Sequence, residues 1–278
     1  MKKQYYASVA KGYKALREEP TTYYAEPFRI FGNLYFVGDR NVSCHLVDTG
    51  DGLLLFDTGY PHMSGQLLYN IFKIGFDPAD IKMIFHTHGH FDHFGATNLL
   101  VRLTGAKTLL GWRDAKMFRE DPEFALCDCL EGIPTEMFVP DIEVHDGDIF
   151  RIGNTVVEAY ETPGHSEGAI TYRIHVTDGE EEKIALLCGG AGFNTLKREF
   201  IDLFSNEGWR DDFEYSLKKW KELICDIYLG NHTGQSDTLG KRARMEEGKP
   251  NPFLDPADWG RFVENLEKRY FEMIAQER

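Results

Sequence analysis

The residues His88-Gly-His90-Phe-Asp92-His93 concentrate metal-binding side chains, and four of the chain's ten histidines fall within positions 86–93. In an extended segment His88 and His90, two apart, project to the same side and can ligate one ion. Asp92 and His93, where the chain turns toward a helix, can reach a second ion beside it. Gly89 removes side-chain bulk where the backbone must fold around the pair. Two more histidines stand at the ends of apolar segments, His165 in Thr162-Pro-Gly-His-Ser-Glu-Gly168 and His232 in Cys225-Asp-Ile-Tyr-Leu-Gly-Asn-His232. Strand-end loops on one rim of a fold are where ligands distant in sequence meet. The expected ligand sets are His88, His90 and His165 for one metal and Asp92, His93 and His232 for the other.

Neutral imidazoles with one carboxylate suit zinc best, though iron or manganese can take such ligands. Three protein ligands per ion leave each a position for water, the pattern of catalytic rather than structural sites. Two zinc ions so held would lower the pKa of a bound water to about 7 and need no side-chain nucleophile. Asp92 is expected to orient the resulting hydroxide. Asp57, on an Asp-Thr-Gly turn, reads as a residue that fixes a ligand or the motif backbone from outside the ligand set.

The other candidates take plainer readings. His86 lies one residue too early, inside a strand, and reads as packed or as supporting a ligand. His45, His145 and His175 fall in strands without metal-like neighbours, and His62 is a candidate for the pocket mouth. Five scattered cysteines indicate no disulfide framework. Cys127 and Cys129 lack the second pair of a zinc knuckle and read as structural.

Stepwise punctuation by Gly-Asn, Asp-Gly and Pro-Gly turns gives the elements that must position these residues. Strands are expected at 28–38, 43–47, 53–57, 82–85 and 107–110, with helices at 66–74 and 96–103. A second half repeats the grammar, with strands at 142–145, 149–152, 156–160, 169–176, 184–188 and 226–229. Its helices are expected at 212–223, 236–246 and 255–275. Two β-rich stretches, each closed by helices, predict an α/β fold: a four-layer αββα sandwich of two mixed sheets flanked by helices. No linker interrupts it, so 1–278 reads as a single domain whose residues 1–25 form a helical N-terminal extension. The stretch 118–138 is either a lid or a surface excursion.

With 31 basic and 45 acidic residues the net charge is −14, which argues against a nucleic-acid partner. The 42% hydrophobic content supplies a sizeable core, and no apolar run approaches the ~18 residues that span a bilayer. A small-molecule substrate is the expected partner, and composition leaves the oligomeric state open. The N-terminal lysines precede no apolar segment, so the chain as written is expected to be cytoplasmic, or periplasmic or secreted if a leader was removed.

The H-x-H-x-D-H motif, Leu55-Phe-Asp57-Thr-Gly59, the TPGHSEG segment and the LGNH segment resemble, in order and separation, the metallo-β-lactamase superfamily across essentially the whole chain. The closer likeness is to the third subclass of class B metallo-β-lactamases, carried by segments 27–38, 62–70, 225–232 and 251–256. Glyoxalase II and the quorum-quenching lactonases carry an aspartate bridging both metals in a late strand; the matching segment 184–192 contains no acid. The first lactamase subclass has a cysteine ligand where this chain has Ala191, and Cys188 reads as core. The resemblance thus leaves the second metal to Asp92, His93 and His232 and implies opening of a cyclic amide, a β-lactam, by metal-bound hydroxide. One departure is Gly190 and Gly192, where the third subclass usually offers serines to hold a substrate carboxylate. A lactonase or thioesterase-type hydrolase is the alternative, and a non-catalytic metal-binding protein a further one. The net charge speaks against a nuclease of the superfamily. A flavodiiron-type reductase would need a glutamate at position 90 and a flavodoxin domain.

Overall fold

The first apolar run does not continue as one strand. Gly32 adopts a left-handed φ of +45° and folds the run into a hairpin of β1 (Phe28–Phe31) and β2 (Leu34–Phe36). A side chain at Gly32 would meet the Thr177 carbonyl oxygen at 2.0 Å, so only glycine fits this turn. Asn33 then ties the hairpin to both sheets, donating to the Asp48 carbonyl (2.7 Å) and accepting from the Thr177 amide (2.8 Å).

In this computed structural model, which describes residues 1–277, the hairpin opens a seven-stranded sheet. It continues through β3 (His45–Asp48), β4 (Leu53–Phe56), β5 (Ile81–Phe85), β6 (Lys107–Gly111) and β7 (Ile142–Val144), in chain order. Pairing is antiparallel up to β4 and parallel from β4 to β7. The second sheet has the order β12-β11-β10-β9-β8. Its strands are β8 (Ile149–Ile152), β9 (Thr155–Glu161), β10 (Ile170–Asp178), β11 (Glu181–Leu187) and β12 (Ile227–Leu229). Only the β11–β12 pair is parallel there, so both sheets are mixed, as the sequence predicts.

Phe36, Phe56, Phe85, Leu109, Tyr172 and Leu187 fill the space between the sheets. Against the outer face of the first sheet pack α3 (Ser64–Lys73) and α5 (Thr97–Thr104), through Leu67, Ile71 and Leu100. Outside the second lie α8 (Trp209–Glu222) and α10 (Asp258–Gln276), which bury Trp220, Trp259 and Leu266 with Leu186 and Tyr228. The result is the four-layer αββα sandwich. The remaining helices are α1 (Lys2–Gly12), α2 (Lys14–Glu18), α4 (Phe91–Phe94), α6 (Trp112–Glu120), α7 (Arg198–Phe204) and α9 (Thr238–Glu246). Among the described residues no helix is long and apolar enough to cross a membrane.

Two expectations change. Helices α6 and α7 were not expected. The stretch 118–138 is not a surface excursion: Phe118, Ala125, Leu126, Cys129, Leu130 and Phe138 are buried in the larger helical core. Residues 1–25 carry two helices, α1 and α2, that pack on the rest of the fold: Ala10 and Leu16 are buried and Tyr5 packs edge-on against Phe200 and Phe204 of α7. All five cysteines are free, and Cys188 is fully buried.

Candidate dinuclear metal centre

Strands β4 and β5 run parallel with Phe56 opposite Phe85, so the chain leaves both at one level. Asp57 follows β4 and residues 86–90 follow β5. Asp57 takes a left-handed φ of +58°, an uncommon conformation for a residue with a side chain, and its contacts account for it. Its carboxylate accepts from the Thr87 amide and the Thr87 hydroxyl, each at 2.7 Å. His93 Nδ1 lies 2.7 Å from the same carboxylate. One buried acid thus clips both ends of the histidine motif. Burial pushes its carboxyl up to about 7, and these donors oppose the shift by favouring the ionised form.

A second buried acid, Asp114 of α6, was not assigned from sequence. It accepts from the Gly89 amide (2.7 Å), the Ser166 hydroxyl (2.8 Å) and the Gly168 amide (2.7 Å). It therefore locks the motif loop to the loop that carries His165. A Cβ at Gly168 would fall 2.3 Å from the Asp114 amide nitrogen, which explains the glycine. Burial raises the Asp114 carboxyl to about 6. The only sequence signal for this residue was an acid one turn after a parallel strand, which is too common to single out.

The structure brings the six expected side chains to one end of the sandwich, in two groups. His90 Nδ1 lies 3.0 Å from His88 Nε2 and 3.1 Å from His165 Nε2. His93 Nε2 and His232 Nε2 are 3.3 Å apart, and Asp92 Oδ2 lies 3.7 and 3.6 Å from them. Tetrahedral zinc with bonds of about 2.0–2.1 Å would hold its nitrogen ligands about 3.3 Å apart, so both groups suit such an ion.

Outer contacts decide which nitrogens face inward. Nδ1 of His165 lies 3.0 Å from the Gly192 carbonyl, and Nδ1 of His232 3.1 Å from the Asn41 carbonyl. A carbonyl only accepts, so each Nδ1 carries the proton and each Nε2 keeps its lone pair. Asp57 sets His93 the same way. The Thr87 hydroxyl, which donates to Asp57, sits 3.1 Å from His88 Nδ1 and accepts from it. Burial holds His93 and His165 down to about 3 and His88 and His90 well below the usual imidazole range. Neutral rings with converging lone pairs repel one another, and a bound cation converts that repulsion into ligation. His90 differs, its Nε2 being buried without a partner.

Above these groups lies a cavity of about 200 Å³. Its floor is His90, Asp92, His165 and His232, and its roof is Tyr5 and Val9 of α1 with Tyr13, Leu126 and Cys129. Among the described residues no lysine or arginine lines it. Tyr13 packs edge-on against Phe91 and Tyr60. The spacing of Tyr5, Val9 and Tyr13, four residues apart, is a helical stripe that sequence reasoning passed over. The remaining histidines lie elsewhere. His86 bridges the Leu109 carbonyl (2.8 Å) and the Thr97 hydroxyl (2.7 Å). His62 does not line the cavity but meets the Leu16 carbonyl at 3.2 Å, anchoring the N-terminal segment. His145 stacks on Trp112, and His175 pairs with Glu158 and Glu182.

With this geometry in place, comparison with known proteins identifies the class. The family model of the metallo-beta-lactamase superfamily matches residues 37–178. A subclass B3 metallo-beta-lactamase of Bradyrhizobium japonicum, BJP-1, superposes with a TM-score of 0.81 at 30% identity, over 92% of this chain and 96% of that one. The hydroxyacylglutathione hydrolase of Maricaulis maris is 31% identical over 199 residues, 64% of this chain and 70% of that protein. An N-acyl homoserine lactonase of a Bacillus species is 27% identical over 67% of this chain and 77% of its own. The chain belongs to the metallo-beta-lactamase superfamily. It is a hydrolase of that superfamily, with its structural likeness to subclass B3.

Proposed function

We propose that the chain is a dinuclear zinc hydrolase that opens a cyclic amide of the β-lactam type. His88, His90 and His165 would hold one ion, and Asp92, His93 and His232 the other. The observation that carries this reading is the inward convergence of neutral imidazole nitrogens whose tautomers are set by Asp57, Thr87, Gly192 and Asn41. When bound, the ions would polarise the substrate carbonyl and provide a water ionised near neutral pH.

The chain's own groups do the rest. Asp57 orients His93, and Asp114 holds the two ligand loops in register. Asp92, at the cavity floor, accepts the hydrogen bond that aims the attacking oxygen. The aromatic roof limits bulk water around the reacting carbonyl. A second reading, hydrolysis of an ester or lactone, is favoured by a cavity lining that, among the described residues, carries no lysine or arginine.

The test is metal analysis followed by a substrate panel of penicillins, cephalosporins, carbapenems and homoserine lactones on zinc-loaded protein. Close to two zinc ions per chain and chelator-sensitive turnover of a chromogenic cephalosporin are expected. Turnover of lactones without turnover of any β-lactam moves the assignment to the second reading. Full activity in His90→Ala sinks the ligand assignment.

A further inference from the structure

The cavity over the metal groups, about 200 Å³, is smaller than the roughly 300–1,000 Å³ of sites that enclose a whole ligand. Part of any larger substrate must lie outside it. The cavity shares Ala191, Gly192, His232 and Gln235 with a second, open groove of about 1050 Å³. One wall of that groove is a face of α10, where Phe262, Asn265, Leu266 and Arg269 follow helical spacing.

The charges in the groove do not cancel. Its four cations are Lys241, Arg244, Arg261 and Arg269, and its three acids are Asp237, Asp255 and Asp258. Lys241 pairs with Asp258 (2.5 Å), Arg244 with Asp237 (2.9 Å), and Arg261 with Asp255 (2.5 Å) and Asp258 (3.2 Å). Arg269 has no carboxylate within 4 Å and no hydrogen-bond partner among the described residues. Its guanidinium instead rests 5.5 Å from the Phe193 ring centroid. Phe193 lies between Gly192 and Asn194, both of which line the metal cavity. A second observation is independent of charge. Tyr228 lines the same groove while only 1% exposed, and its hydroxyl is buried with no hydrogen-bond partner among the described residues.

We propose that this groove binds the tail of an elongated substrate and that Arg269 selects a tail ending in a carboxylate. The proposal rests on the hydrolase reading for the position of the reacting carbonyl. Phe262, half-buried on that face, offers apolar surface to the intervening chain, and the guanidinium fork takes the carboxylate. One unpaired cation matches one negative charge. A phosphate dianion would leave charge uncompensated among three nearby aspartates in a chain of net charge −14.

The experiment uses full-length, zinc-loaded protein and p-nitrophenyl esters of straight-chain diacids of four to ten carbons. Each is paired with a twin whose far carboxylate is methylated. At the chain length that spans the groove, the carboxylate ester is expected to show a KM about tenfold below its twin, the scale of one charge-assisted contact. Arg269→Ala should erase the difference through KM rather than kcat, and Arg269→Lys should restore part of it. Calorimetric titration of the free diacid reads the same site without turnover, and Arg269→Ala should weaken it by a similar factor. Equal KM for both twins, untouched by Arg269→Ala, overturns the groove site and leaves the hydrolase standing. Diacid binding that depends on Arg269, with no turnover of any ester, lactone or lactam, overturns the hydrolase and leaves the groove. Preference for a phosphate-ended ester overturns the assignment of a carboxylate.

Discussion

Two buried acids outside the ligand groups organise the site, and each can be tested alone. Asp114→Ala leaves three buried donors without their acceptor. At about 1–3 kcal/mol per unsatisfied group, urea denaturation should show the unfolding free energy lowered by several kcal/mol. Asp57→Asn keeps the shape but weakens the contact that orients His93. Competition against a chromogenic chelator should report zinc affinity about 10–100-fold lower, with less effect on the unfolding midpoint than Asp114→Ala. His45 offers a different test. Its ring is buried between the sheets, neither nitrogen has a partner, and burial holds its pKa down to about 3. The unfolded chain binds this proton near pH 6.5 and the folded chain only near 3, so stability is lost as pH falls through that window. The loss is on the order of 1.4 kcal/mol per pH unit. His45→Leu should flatten the pH dependence of the urea midpoint between pH 6 and 4; an unchanged slope would place the titration elsewhere. The candidate ligand motif was legible because its four expected ligands fall within six positions. Asp114 was not, because nothing local marks a carboxylate whose three partners lie 25, 52 and 54 residues away.

Among the elements, α1 bears most directly on substrate size. Its stripe of Tyr5 and Val9, extended by Tyr13, roofs the cavity, while the Lys2–Glu123 ion pair and the Tyr5–Phe200 contact hold it down. Val9→Trp should fill the cavity and lower kcat/KM at least tenfold. Val9→Ala should widen it and favour bulkier acyl groups. Steady-state kinetics with a matched small and large substrate measures both, and opposite signs distinguish a roof from a merely structural helix. Sequence patterning located most strands and the long helices, because their apolar spacing is local. It missed α7, seven residues long, and α6, where it saw only a lid or an excursion beginning at 118. A short helix leaves little periodic signal, and the burial of Phe118 and Phe138 depends on neighbours far along the chain.

For the whole molecule, the core between the sheets draws on both halves of the chain, with Phe56 and Phe85 against Tyr172. We therefore propose one cooperative unit. Tryptophan fluorescence and far-ultraviolet circular dichroism should give superimposable denaturation curves. Two separated transitions would instead divide the chain into domains. The sandwich architecture, the mixed sheets and the superfamily were all readable beforehand, since alternating turn signals and four spaced motifs carry them.

The sequence alone singled out the six candidate ligands, because ligation chemistry belongs to side-chain type and spacing. Only the tertiary structure decided which nitrogen of each ring faces inward, because that depends on carbonyls and carboxylates brought in from other loops. It also turned an apparent N-terminal extension into the roof of the cavity. And it set Arg269, 37 residues beyond the last histidine of the site, over Phe193 beside the metal groups. Such placements arise from burial and packing between distant segments, which no local pattern encodes.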